Sequence, residues 1–276
     1  MPTTSAIRLG DVTFNRLGAR AGDQAPTRFE PAARIKTSVP EASDVVALAN
    51  GSFAVVSDVR DSLFIIDAKG KQTKLKLEGM KNASELEGVA YDPVKQHLFV
   101  SREESRELYR YSWAGGTDTP KLEKKIGVEL KGPENKGLEG LAYLPAELSP
   151  TGQAQLLATK EGSPRQLLLF ADNGKGKPLE VELEKQIKDV LADFSAAAVD
   201  PKTGNVYLAS DESSMIAQLR LVRDGQKVRA RIIQALPVRD EKGKPLARIE
   251  GLTFNGRGDL FVLTENDGAL HALKRK

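Results

Sequence analysis

The chain contains no cysteine. That excludes disulfides, zinc–thiolate sites and a cysteine nucleophile together. It does not fix the compartment, because periplasmic and cytosolic proteins alike can lack cysteine. Histidine is scarce: His97 and His271 are the only two in 276 residues. A Ser–His–acid triad needs a well-placed histidine. His97 begins one apolar run and His271 lies near the C-terminus, where both read as surface or packing residues. No HExxH, P-loop, EF-hand loop or GxGxxG in strand–helix context occurs. Covalent catalysis is therefore not expected, whereas metal-assisted hydrolysis stays open. No apolar stretch approaches the roughly 20 residues of a spanning helix. Net charge is only +3, from 41 basic and 38 acidic residues, with no basic stripe interleaved with aromatics. This argues against a nucleic-acid partner. The start "MPTTSAIRLGDVTF" has no basic residues followed by an apolar run, so no signal peptide is visible. The expectation is a cytoplasmic protein, or a mature form whose leader was removed, which would be periplasmic or extracellular.

What the chain does have is an internal repeat. "LEGVAYDP" begins at Leu86, "LEGLAYLP" at Leu138 and "IEGLTFNG" at Ile249. Weaker copies are "SDVVALANG", which carries Asp44, and "DFSAAAVDP", which carries Ser195. With Asp44, Glu87, Glu139, Ser195 and Glu250 as anchors, the spacings are 43, 52, 56 and 55 residues. In each unit a short apolar strand is followed by a turn marked by Asp-Pro, Asn-Gly or Thr-Gly. A second apolar run comes next ("HLFVS", "QLLAT", "NVYLAS", "DLFVLT"), then a polar turn holding an acid, then a third run. These are strand and hairpin signals. A fourth, half-polar strand follows most units: "QTKLKLEG", "KLEKKIGVEL", "KPLEVELE" and "KVRARIIQALP". The fifth unit ends without one, and "AARIKTSV", near Ala33, has the right pattern and no partner. We expect it to close the ring on the last blade. Four-stranded units of about 40–55 residues predict an all-β fold, a β-propeller. Five blades fit, with six possible only if residues 1–40 hide a degenerate blade. The expected division is an N-terminal arm, 1–32, and one propeller domain, 33–276. "LEKQIKDVLADF" puts Ile187, Val190, Leu191 and Phe194 at helical spacing, which predicts a short packing helix.

In a propeller the first strand of each blade lines the central channel. The start of that strand and the end of the second meet at one mouth. The repeat puts Asp44, Glu87, Glu139 and Glu250 at the first point, with Ser195 as the exception. Asp58, Glu103, Glu161, Asp211, Glu212 and Glu265 come just after the second strand. Crowded carboxylates raise one another's pKa, and a hard cation with oxygen ligands relieves that. Calcium tolerates irregular rings of this kind. The candidate metal ligands are Asp44, Glu87, Glu103, Glu139, Glu161, Glu212, Glu250 and Glu265. Arg102, Arg106, Lys160, Arg165 and Ser195 could hold a small anionic ligand. Equally, the acids could latch neighbouring blades by accepting backbone N–H groups, or pair with those bases. The glycine after each glutamate would let backbones approach where blades converge.

The ordered set "GLEGLAY…LLATKEGSPRQLLLF", "DFSAAAVDPKTGNVYLASDESSMIAQL" and "IEGLTFNGRGDLFVLTEND" resembles the bacterial SdiA-regulated family of propellers over roughly residues 42–273. The resemblance implies a propeller that is often exported or membrane-anchored. It further implies calcium suspected at the acidic mouth and no established catalytic activity. The positions that match are Glu87, Glu139, Glu161, Glu212, Glu250 and Glu265. The chain departs from the pattern at Ala196, where the family keeps glycine, and at "TEND", where it keeps Ser-Glu-Pro-Asn. Phytase-like and lactonase-like propellers are similar at fold level only. The first expectation is thus a binding or scaffold module that takes a divalent cation, with calcium as the expected ion. The alternatives are a metal-dependent hydrolase of phosphate esters or lactones, and a metal-free protein-interaction platform.

Overall fold

The computed structural model describes residues 25–80, 85–130, 132, 137–160, 162–173 and 177–276, and the backbone of two strands near the N-terminus. Those two, β1 (Ala6–Leu9) and β2 (Val12–Asn15), pair with each other and, among the described residues, with no other sheet. Strand β3 (Phe29–Lys36) follows them. Blade 1 comprises β4 (Ala42–Ala47), β5 (Phe53–Ser57), β6 (Arg60–Ile66) and β7 (Gln72–Lys76). Blade 2 comprises β8 (Leu86–Asp92), β9 (His97–Arg102), β10 (Glu107–Ser112) and β11 (Lys121–Gly127). Blade 3 comprises β12 (Leu138–Leu144), β13 (Gln155–Lys160), β14 (Gln166–Ala171) and β15 (Leu179–Glu180). Strand β16 (Glu182–Leu183) and helix α1 (Lys185–Val190) lead into blade 4, made of β17 (Ala196–Val199), β18 (Val206–Ser210), β19 (Met215–Asp224) and β20 (Lys227–Pro237). Blade 5 comprises β21 (Ile249–Phe254), β22 (Leu260–Thr264) and β23 (Ala269–Arg275), completed by β3.

The protein is a five-bladed β-propeller. The innermost strands β4, β8, β12, β17 and β21 each touch the next, and β21 returns to β4. The expected closing strand is β3. It pairs antiparallel with β23, Leu270 opposite Ile35 and His271 opposite Arg34, and it starts at Phe29, upstream of the expected boundary. The last residue holds the seam: the Lys276 N–H donates to the Arg28 carbonyl at 3.0 Å.

The sequence pattern follows from position in the blade. Every residue of β5, β13, β18 and β22 is buried, because a second strand is covered on both faces. The outer strand β11 alternates exposed and half-buried residues along its length. Apolar residues gather into five clusters, one at each blade junction. Turns are set by local side-chain acceptors. The Asp92 carboxylate takes the Val94 N–H at 2.9 Å, and the Asn255 side chain takes those of Arg257 and Asp259.

The expected helix is α1. Ile187, with Leu191 and Phe194 just beyond the helix, enters the cluster between blades 3 and 4. One expected strand is split. "KPLEVELE" gives β15 its two residues on blade 3, and β16 then pairs parallel with β20 on the outer edge of blade 4. Val181, buried between them, is the pivot.

Candidate functional site: the acidic mouth of the channel

At the mouth, blades 1, 2 and 5 bring the residue preceding the inner strand against the residue that follows the second strand. The Asp58 N–H donates to the Glu41 carbonyl, Glu103 to Glu85, and Glu265 to Arg248. Glu41, Glu85 and Arg248 all have left-handed backbone, with φ of 42°, 70° and 56°. A repeated kink therefore starts the inner strand in blades 1, 2 and 5. It is followed by a register shift against the second strand.

That register corrects the sequence alignment at two places. Ala42 opposes Ser57 as Ile249 opposes Thr264, so Ser43 occupies the glutamate position of blade 1 and Asp44 occupies the glycine position. By the same pairing, Asp211 is the blade 4 counterpart of Glu265 and Glu103. Glu212, the residue carried over from the family motif, lies one step further out and is exposed. Glu161 lies outside the described residues.

The glycines of the repeat sit where blades converge. A Cβ on Gly140 would lie 2.6 Å from both Ala196 Cα and Ala197 N of the next blade. One on Gly88 would lie 2.7 Å from the Glu139 carbonyl. Asp44 uses this junction differently. It is fully buried, and its carboxylate accepts from Val45 at 2.8 Å, from Val89 of blade 2 at 2.9 Å and from Leu141 of blade 3 at 3.2 Å. Burial raises its pKa well above the ordinary value, against those three donors, and Glu87 adds to the rise. Asp44 thus latches three blades at the axis, the role weighed above for the whole acid set.

The glutamates around it face one another. Burial raises Glu87 to about 8, reinforced by Glu103, Asp58 and Glu250. Burial raises Glu250 to about 8 as well, reinforced by Asp211 and Glu265, with Arg248 opposing. The neighbouring Glu265 carboxylate raises Glu41. Glu85 is raised by burial and by a like contact with Glu104. Asp58 rises through burial and Glu265, Asp211 through burial and Asp193. Glu139, half-buried, holds the glutamate position of blade 3. Ser195, in the same position on blade 4, is buried, and its hydroxyl has no hydrogen-bond partner among the described residues. Among the described residues, no three His, Asp or Glu side chains are already gathered as a metal shell.

Most of the bases near the rim are committed elsewhere. Arg106 donates to the carbonyls of Leu130 and Gly132, both at 2.9 Å. Arg165 donates to the carbonyls of Leu191 and Lys188 at the end of α1, and its guanidinium lies 5.7 Å from the centre of the Phe194 ring. Lys160 is fully buried, its Nζ 3.3 Å from the Pro164 carbonyl. Arg102 is half-buried, and its Nε has no hydrogen-bond partner among the described residues. Arg248 pairs with Glu265. Among the described residues Arg106, Arg165 and Arg248 thus serve backbone carbonyls and acids. His97 and His271 pair with Glu123 and Asp267.

Fold and mouth together define a five-bladed propeller with a carboxylate-rich channel opening. The SdiA-regulated family profile matches residues 101–267. The chain belongs to the SdiA-regulated family. No curated protein sequence matches it. Among solved structures it is similar to the glutaminyl cyclase of Myxococcus xanthus, with a TM-score of 0.59 and 13% identity over 92% of this chain and 99% of that one. It is similar to the PQQ-bound aldose sugar dehydrogenase of Streptomyces coelicolor, with a TM-score of 0.57 and 13% identity over 92% and 99%. It is also similar to a chain of a nidogen–laminin complex, with a TM-score of 0.51 and 11% identity over 81% and 72%. At these identities the likeness shows the fold alone, and such folds host unrelated activities.

Proposed function

We propose that the propeller is a binding module whose acidic mouth takes up a divalent cation, with Ca²⁺ the best chemical fit. The observation that carries this reading is the gathering of acids at one opening, where the half-buried Glu87 and Glu250 are ringed by Asp58, Glu103, Asp211 and Glu265 and are raised by burial and by those neighbours. Crowding of this kind is relieved by protonation or by a bound cation. The available donors are oxygens, which suits a hard ion of flexible coordination. Glu87, Glu250 and Glu265 would hold the ion, supported by Glu103, Glu139, Asp58 and Asp211. When bound, the ion supplies positive charge that replaces protons among these acids, and it can polarise an oxygen of a ligand at the opening. The chain's own residues set the opening: Asp44 ties its floor together, and the glycines hold the inner strands close.

The test is thermal unfolding in EDTA and in millimolar Ca²⁺, with Glu250→Gln beside the unaltered chain. An ion present at 100 times its dissociation constant adds about 2.7 kcal/mol. That corresponds to a rise of several degrees, which the substitution should diminish. An unchanged Tm together with no calorimetric heat would reject the reading and leave these acids as blade latches.

A further inference from the structure

A second feature lies on the perimeter, away from the mouth. Between the outer strands of blades 4 and 5 runs a groove of about 550 Å³, walled by Phe29, Pro31, Ile216, Leu236, Leu260 and Leu273. One polar fixture interrupts it. The Thr27 N–H donates to Gln218 Oε1 at 3.0 Å, Gln234 Nε2 donates to the Thr27 carbonyl at 2.7 Å, and Gln218 Nε2 donates to Thr27 Oγ1 at 3.2 Å. Gln218 is 1% exposed. Two glutamines of the groove wall thus hold the backbone and side chain of one residue, the one from which the chain leads back to its N-terminal arm. The arm therefore leaves the propeller beside this groove.

The arm has the matching chemistry. Its hairpin pairs Ile7 with Phe14 and Leu9 with Val12, apolar opposite apolar, while Arg8 opposes Thr13. Among the described residues it joins none of the blade sheets. A lone two-stranded hairpin is marginal in water and needs an apolar surface to cover. Thr27 lies 12 residue steps beyond Asn15, a reach of up to about 40 Å when extended, far more than a turn back onto the adjacent groove requires. We propose that the groove between blades 4 and 5 is the seat of the chain's own N-terminal hairpin. Docked there, the hairpin covers the seam where β3 closes the ring.

The absence of cysteine makes the test direct in the full chain. Phe14→Cys combined with Leu236→Cys should form an intramolecular disulfide on mild oxidation. Phe14→Cys combined with Val94→Cys, at an 87% exposed turn of blade 2, is the control. Burial of one large apolar side chain should favour the groove pair about tenfold or more. Equal rates for the two pairs would overturn the proposal, and so would disulfides formed only between molecules, which would seat the arm on a second copy. In the variant Leu236→Lys, without introduced cysteines, tryptic cleavage after Arg16 and Arg20 should quicken by a comparable factor. An unchanged cleavage rate would also overturn the assignment.

Discussion

The most exposing perturbation is to remove charge from the mouth and follow stability with pH. Glu87 and Glu250 are held at about 8 in the fold, against an ordinary 4.5. A carboxyl whose pKa is raised by folding is better tolerated protonated. The native state therefore bears no penalty from it below about 4.5, loses stability progressively toward pH 8, and bears the whole penalty above that. For one group the full shift would amount to roughly 5 kcal/mol. Both side chains lie at an opening and are partly reached by water, which screens the effect to about 1–2 kcal/mol. For a domain of this size that is a fall in Tm of about 2–8 °C. Differential scanning calorimetry between about pH 6 and pH 9, in EDTA, reads it above the titration range of ordinary carboxylates. The wild type should lose Tm across this window, and the double variant Glu87→Gln, Glu250→Gln should lose clearly less, the remainder coming from Asp44. A flat wild-type profile, or a double variant that falls as steeply as the wild type, would refute the electrostatic description of the mouth.

Two further substitutions probe the junctions. Gly140→Ala drives a Cβ to 2.6 Å from Ala196 and Ala197. It should cost about 1–3 kcal/mol in urea unfolding, whereas Gly116→Ala, with nothing within 4 Å, should cost nothing. Equal midpoints for these two variants would show that the blades tolerate separation. Asp44→Ala orphans the buried N–H groups of Val89 and Leu141 and should lose about 1–3 kcal/mol for each. Asp44→Asn keeps an acceptor and should retain most of that, and identical losses in the two variants would deny the latch.

Much of this architecture is readable before any coordinates, because a propeller repeats its burial pattern. "HLFVS" and "NVYLAS" are continuous apolar runs since second strands are covered on both faces. "KLEKKIG" alternates since its strand is outermost. The fold and the closing strand follow from counting such runs. Register is less legible. "SDVV" reads like "LEGV", yet the kink at Glu41 and the pairing of Ala42 with Ser57 move Asp44 to the glycine position. There its side chain meets backbone from two other blades. A one-residue displacement of this sort depends on the partner strand, which a single string does not display. The same applies to Asp211 over Glu212, and to "KPLEVELE", whose second half is drawn to the open edge of β20. The commitments of Arg106 and Arg165 to backbone carbonyls are likewise tertiary, and rim arginines carry no mark of them in the sequence.

The seam of the ring has a consequence for how the chain can be rearranged. Lys276 bonds the Arg28 carbonyl through its backbone and Glu30 through its side chain, at 2.7 Å, so the point where the propeller is entered lies one strand spacing from the point where it is left. Order along the chain and order around the ring are then separable. A short linker from Lys276 to Arg28, with new ends opened at the exposed turn around Gly116, would give a circular permutant in which β3 and β23 become a covalent hairpin. The burden of closure would pass to the β10–β11 edge of blade 2, a different pair of strands performing the same geometric task.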